Sequence, residues 1–340
     1  MTTRRLQSTS EDIKTAAALL QAGQLVAIPT ETVYGLAANA LDKDAVASIF
    51  VAKGRPQDNP LIVHIGELEQ LNSLVTDIPD IAEKLAKAFW PGPLTMIFKK
   101  NDCVPSIVSA NLDTVAIRFP VHPIARQIIN ASGCPLAAPS ANVSGSPSPT
   151  TAQHVKNDLD GRIAAIVDGG ACEVGVESTV LSVLGDTPRL LRPGGITVSM
   201  IESVIGPITI DPAVTHQRQK DAVVASPGMK YKHYSPKAKV ILLNGSAEKV
   251  TSYINAHAEE DTWALCFEGE EQGLTVPYLT YGKRDNQEDQ AKHVFDALRH
   301  ADEVGAKILY TSCPSQEGVG LAVYNRLLRA AAFEVIHLEE

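Results

Sequence analysis

Eight short apolar runs between residues 25 and 195 constrain this chain more than any other feature: LVAIP (25–29), LIVHI (61–65), LTMIFK (94–99), TVAIRFP (114–120), PLAAPS (135–140), IAAIVDGG (163–170), STVLSVL (178–184) and RLLRPGG (189–195). Each is strand-sized and closed by turn residues, and helical patterns separate only some of them. Strict strand–helix alternation is therefore excluded. The expected fold class is α/β, a twisted mixed sheet with helices packed on it. Ser8-Thr9-Ser10-Glu11 has capping-box spacing and opens an apolar-periodic stretch that ends near Gly23. Residues 43–53 carry Ala45, Ile49 and Phe50 on one helical face with Gly54 as the stop, and a further helix is expected over 78–89.

Between residues 205 and 238 this grammar fails. IGPITIDPAVTHQRQKDAVVASPGMKYKHYSPKA has no sustained period and several prolines, as expected of a linker. Regular alternation returns with KVILLN (239–244), WALCFE (263–268), YLTYG (278–282), KILYTS (307–312) and EVIHLE (334–339). Helical patterns lie between them, such as Ala291, Val294, Phe295 and Leu298 in 288–300. This second part reads as a small doubly wound, Rossmann-like domain, with no GxGxxG after its first strand. The organisation expected is 1–204, a linker at 205–238, and 239–340.

A net charge of −9 over 340 residues gives no general attraction to nucleic acid, so strong intrinsic nucleic-acid binding is not expected. A compact cluster of Lys and Arg in such a chain points to a small anionic ligand instead. No apolar run is long enough to span a membrane, and no secretory signal is expected. Five scattered cysteines without a CxxC pair read as thiols in a reducing cytoplasm.

Several segments carry potential chemistry. In AKGRPQDNPL (52–61), Lys53 and Arg55 flank Gly54 and could hold phosphate oxygens; a lysine answering a helix dipole before a glycine stop explains the same residues. PSANVSGSPSPT (139–150) puts small donors after an apolar strand, or is a plain surface loop. Arg118 in VAIRFP requires a bound anion or an internal ion pair. His64, at the end of LIVHI, fits a structural or a catalytic role. ESTV (177–180) and LRPGG (191–195) set polar groups beside apolar strand residues. There is no P-loop, no GxSxG elbow and no HExxH. These residues describe a site for a compact anion, and they do not name a reaction.

PTETVYGLA (29–37), KGRPQDNPL (53–61), FWPGPLT (89–95), PSAN (139–142), ESTV (177–180) and LRPG (191–194), in this order, closely resemble the YrdC/Sua5 family. GVGLAVYNRLLRAA (318–331) resembles the additional C-terminal domain of the long Sua5 form. The resemblance implies a YrdC-like twisted sheet around a basic cavity, and synthesis of threonylcarbamoyl-AMP from ATP, L-threonine and bicarbonate for the t6A modification of tRNA. It implies Lys53 and Arg55 as catalytic cations, and Lys53, Arg55, Asn59, Thr114, Ser140, Asn142, Ser148 and Arg192 on the ATP side. It implies Thr32, His64, Arg118, Ala138 and Ser178 on the threonine side, with Arg118 facing the carboxylate. It further implies Mg²⁺ with ATP and a downstream tRNA threonylcarbamoyl transferase as a partner. The stretch SPGMKYKHYSP (226–236) matches an interdomain motif of the long form. It is expected to fold over the cavity mouth, with Tyr231 reaching the phosphates and Lys230, Lys232 and His233 adding positive potential; a solvated tether is the alternative. Two other readings compete. One is an RNA-binding or ribosome-associated module using the basic cavity. The other is a carbamoyl-transfer module of the hydrogenase-maturation kind, which would bring acylphosphatase and zinc-finger segments not seen here.

Overall fold

The computed structural model describes residues 2–217 and 234–338. Among these, the chain divides into two compact units. The first comprises Met1–Ser144 and Ser148–Val214, and the second gathers Gly145–Pro147, Thr215–Gln217 and the described part of Tyr231–Glu340.

In the first unit the elements run β1 (Arg4–Leu6), α1 (Ser10–Gln21), β2 (Val26–Ile28), β3 (Gly35–Asn39), α2 (Lys43–Lys53), β4 (Ile62–His64), α3 (Leu71–Leu74), α4 (Asp80–Phe89) and β5 (Leu94–Lys99). They continue with β6 (Thr114–Arg118), α5 (Pro123–Ser132), β7 (Leu136–Ala137), α6 (Ala152–Leu159), β8 (Ala165–Val167), β9 (Thr179–Ser182), β10 (Arg189–Arg192), α7 (Val198–Ile205) and β11 (Thr209–Ile210). The sheet order is β1-β8-β2-β3-β7-β4-β6-β5-β9-β10-β11. The pairs β4–β6 and β5–β9 are parallel, whereas β5–β6, β4–β7 and β9–β10 are antiparallel. The mixed sheet expected from the spacing is therefore present. On one face α1 and α5 bury Ile13, Ala16, Leu20, Ala125, Ile128 and Ile129 against β2 and β8. On the other, α2 and α4 bury Val46, Ile49, Phe50 and Leu85 against Val63, Val115 and Ile117.

Two local readings need correction. The first helix is capped by Thr9, whose side chain accepts from Asp12 N, one residue later than the Ser8–Glu11 box. The carboxylate of Asp12 accepts from Gln7 N at 2.8 Å, two residues before the cap, and so ties the preceding chain to the helix start. The start of the expected linker is also structured: Asp211 N bonds Leu190 O at 2.9 Å as β11 adds to β10, and Ala213 and Val214 are buried.

The second unit contains β12 (Lys239–Asn244), α8 (Ala247–Ala256), β13 (Thr262–Cys266), β14 (Tyr278–Thr280), α9 (Gln287–Glu303), β15 (Ile308–Ser312), α10 (Gly320–Ala330) and β16 (Val335–His337). Its order is β14-β13-β15-β12-β16 with every pair parallel, the doubly wound α/β unit expected. All five cysteines are free thiols. Among the described residues no helix is long and apolar enough to cross a membrane.

Candidate active site

Side chains alternate across a strand, and this alternation builds the site. Val115 and Ile117 of β6, Val63 of β4, and Met96 and Phe98 of β5 enter the core beneath α2 and α4. Their sequence neighbours Ala116, Ile62 and Ile97, with Val180 of β9 and Leu191 of β10, form an apolar floor on the opposite face. The same period puts Thr114, Arg118, His64 and Thr95 on the floor's face. Register then sets His64 and Thr95 on either side of Arg118. Thr114 lies four residues away along β6, about 13 Å from Arg118 at the usual rise per residue.

Arg118 is 4% exposed and makes a buried ion pair, Nη2 to Glu31 Oε1 at 2.6 Å. Its Nη1 donates to Thr32 Oγ1 at 2.8 Å. Of the two explanations open for this arginine, the protein itself supplies an ion-pair partner, and a short turn fixes it. Thr30 Oγ1 donates to Val33 O at 2.6 Å and accepts from Thr32 N at 3.2 Å, while Glu31 O accepts from Val174 N at 2.8 Å. Burying both charges costs several kcal/mol per ion before the pairing recovers it, so this arrangement is a poor way to gain stability alone.

At the far side of Thr95, its hydroxyl and that of Ser178 lie 2.7 Å apart. Arg192, buried at the end of β10, donates from Nε to Ser178 O at 3.0 Å and from Nη2 to Ser178 Oγ at 3.1 Å. Residues expected on opposite sides of the site, Arg192 and Ser178, are thus directly bonded. Ala138 is buried just past the end of β7, with its N–H donating to Ile62 O at 2.9 Å.

His64 is buried, with Nδ1 3.3 Å from Ile62 O. Burial, reinforced by the Arg118 cation, lowers its pKa to about 3. The ring is neutral at physiological pH and too weak a base to take a proton from an ammonium group. It can orient or accept a hydrogen bond.

The other cluster forms where α2 ends. Asp42 caps the helix on Asp44 N and Ala45 N, and Gly54 terminates it in a left-handed conformation at φ 61°. The Lys53 side chain is thereby directed inward, where it is 2% exposed. Its Nζ donates to Ser140 O at 2.5 Å and Asn142 O at 2.6 Å, with Asn142 Oδ1 at 3.5 Å. The lysine expected to serve a helix dipole or a phosphate holds the PSAN turn. Arg55 Nη2 donates to Asn59 O and Pro60 O at 3.2 and 3.3 Å, pinning the following turn. Asn59 is 1% exposed, and neither Nδ2 nor Oδ1 has a partner among the described residues. Buried amides are normally bonded, which makes this one a candidate for holding a ligand. Ser148 is buried and donates to the carboxylate of Glu177. Tyr231, Lys230, Lys232 and His233 lie outside the described residues.

The site thus gathers four cations (Lys53, Arg55, Arg118, Arg192) and two carboxylates (Glu31, Glu177) in a chain that is acidic overall. Glu31, Thr95 and Glu177 were not singled out from sequence. Their signal was parity with, or adjacency to, Thr32, Arg118 and Ser178.

The first unit is thus a mixed α/β sheet carrying small hydroxyl donors and buried cations. Residues 18–194 match the Sua5–YciO–YrdC family profile, described as telomere recombination, and residues 196–332 match the threonylcarbamoyl-AMP synthase C-terminal domain. The chain is 48% identical over 333 residues to a threonylcarbamoyl-AMP synthase of Pyrococcus abyssi, covering 95% of both chains. It is 48% identical over 338 residues to one of Bacillus subtilis, covering 98% of this chain and 97% of the other. The crystal structure of P. abyssi Sua5 complexed with L-threonine superposes with a TM-score of 0.93 at 44% identity, covering 100% of both chains. The chain belongs to the Sua5–YciO–YrdC family. None of these relatives' names supports the RNA-binding or ribosome-associated alternative, which is set aside.

Proposed function

We propose that this chain is a threonylcarbamoyl-AMP synthase acting as a nucleotidyltransferase on ATP, L-threonine and bicarbonate in the cytoplasm. The threonine amine and bicarbonate form a carbamate and water. A carbamate oxygen then attacks the α-phosphorus of ATP, the bond to the β-phosphate breaks, and pyrophosphate leaves. Such a displacement requires positioning and charge neutralisation rather than a protein nucleophile. Arg55, Asn59, Thr114, Ser140, Asn142, Ser148 and Arg192 serve the nucleotide, with Lys53 supplying charge behind the PSAN turn. Thr32, His64, Arg118, Ala138 and Ser178 serve threonine. Mg²⁺ enters with ATP, held mainly by phosphate oxygens and water. The described residues offer no group of three or more His, Cys, Asp or Glu to hold the ion without nucleotide. The labile product passes to a tRNA threonylcarbamoyl transferase for t6A synthesis.

One observation beyond kinship supports this reading: Arg192, expected at the nucleotide, makes two hydrogen bonds to Ser178, expected at threonine. The test is incubation with ATP, Mg²⁺, L-threonine and labelled bicarbonate, followed by detection of threonylcarbamoyl-AMP and pyrophosphate. Binding of ATP without either product would sink the proposal. Arg55→Ala should damage ATP use, whereas Arg118→Ala should first raise the threonine requirement.

A further inference from the structure

The Glu31–Arg118 pair is incomplete in a specific way. Glu31 is 2% exposed and spends only Oε1 on the arginine; its Oε2 is buried and has no partner among the described residues. Arg118 spends Nη1 on Thr32 and Nη2 on Glu31, and its Nε is likewise buried with no partner among the described residues. The pair therefore leaves one unsatisfied anionic acceptor beside one unsatisfied cationic donor. Leaving charged groups unsatisfied in a buried site costs more than leaving neutral ones, so a purely structural ion pair should have closed into a two-bond fork.

The backbone around Glu31 is not free to drift toward that fork. The hydroxyl of Thr30 ties both Thr32 N and Val33 N, and Val174 N holds Glu31 O. The carboxylate is thus held at a fixed place with one oxygen in reserve. An α-amino acid zwitterion carries the complementary groups on one carbon: a carboxylate to take the Arg118 N–H, and an ammonium to donate to a carboxylate.

We infer that Glu31 is a specificity-determining residue, whose Oε2 receives the α-ammonium of the amino-acid substrate while Arg118 receives its carboxylate. This rests on the threonine site proposed above and adds the group that reads the amine. A pocket of cations and hydroxyls alone would accept any small hydroxy acid. A carboxylate held beside the arginine admits the amino acid and leaves an amine-free acid with a buried charge unpaired.

The deciding comparison uses L-threonine and (3R)-3-hydroxybutanoate, which keeps the carboxylate and hydroxyl but lacks the amine. Binding of each to the full chain is measured by calorimetry for wild type, Glu31→Gln and Glu31→Asp. The wild type should prefer threonine by about 30-fold or more, the scale of one charge-assisted hydrogen bond. Glu31→Gln should bring the two ligands within about threefold of each other, by weakening threonine and relieving the penalty on the hydroxy acid. Should that variant fail to fold, Glu31→Asp, one methylene shorter, carries the same comparison and should compress the ratio. A wild-type preference below about threefold overturns the inference, as does a variant that weakens both ligands by one common factor. Absence of any threonine binding by folded wild-type protein would overturn the threonine site itself. Threonine binding with an unmoved ratio overturns only the role of Glu31.

Discussion

Replacing Asn59 by leucine should make the nucleotide-free protein more stable and the ATP site worse. Both Asn59 amide atoms are buried with no partner among the described residues. Each such atom costs roughly 1–3 kcal/mol relative to a satisfied one, and leucine of similar size removes both costs. Imperfect fit of the branched side chain returns roughly 1 kcal/mol or somewhat more. The net expectation is a gain of at least about 1 kcal/mol, with each kcal/mol raising the unfolding midpoint by about 2–4 °C for a unit of this size. Nucleotide should then lose the hydrogen bonds that the amide was holding in reserve, weakening ATP by about 10- to 100-fold. Scanning calorimetry over a series of ATP concentrations reads both quantities, because ligand at 100 times its Kd raises stability by about 2.7 kcal/mol, and at the same ATP concentration that increment should fall to roughly 0.4–1.4 kcal/mol in the variant. A midpoint that falls while ATP affinity stays within about twofold would refute the reasoning, since the amide would then be serving the fold.

Three further expectations follow from geometry and titration. A Cβ on Gly194 would lie 2.3 Å from Thr179 N and 2.6 Å from Ser178 C, so Gly194→Ala should cost about 2–4 kcal/mol and weaken both substrates by moving Ser178. Gly195→Ala, whose Cβ meets the Val174 side chain at 3.2 Å, should cost much less; equal unfolding midpoints for the two variants would contradict this. The depressed His64 pKa, about 3, leaves its stability contribution fully present above the ordinary value near 6.5 and lost progressively as pH falls toward 3. Between pH 7.5 and 5 the wild type should lose about 2 kcal/mol through this group, and denaturant unfolding of His64→Gln should lack that slope. Finally, a thiol reagent should modify Cys103 promptly and spare the rest, because Cys103 alone among the five is exposed and burial pushes Cys172 and Cys266 up to about 12 and Cys313 to about 11. Prompt labelling of three or more thiols would contradict the packing.

Strand position was legible wherever an apolar run met a turn: LTMIFK and KVILLN coincide with β5 and β12. β1 was not, because Arg4 and Arg5 point to solvent and only Leu6 is buried; its strand character comes from pairing with β8. β3 hid for a related reason, since GLAAN is small and non-alternating and is buried throughout except for its last residue. The site shows the same division. Arg118 was conspicuous as a charge in an apolar strand, yet its partner Glu31 lies 87 residues earlier, and only the fold brings them together. Asn59 drew attention through its turn, but the unsatisfied amide is a property of packing that no local pattern records. The bonds of Lys53 to the PSAN carbonyls were illegible likewise, since a lysine before a helix-stop glycine usually faces water.

Those bonds change how the Lys53 charge can act. An ammonium has three N–H donors, and here the oxygens of Ser140 and Asn142 stand in their reach, leaving the group no freedom to follow a migrating phosphate. Its influence on an anion must therefore travel as a field through the turn it anchors rather than as a contact. The tethered carbonyls in turn fix the direction of the intervening peptide dipoles. A positive potential set in this way is already in place before any ligand arrives, and bulk salt screens it weakly because the charge is buried. The lysine behaves as a fixed electrode beneath the loop, and on the proposed function the contacts to a moving phosphate would fall to its neighbours.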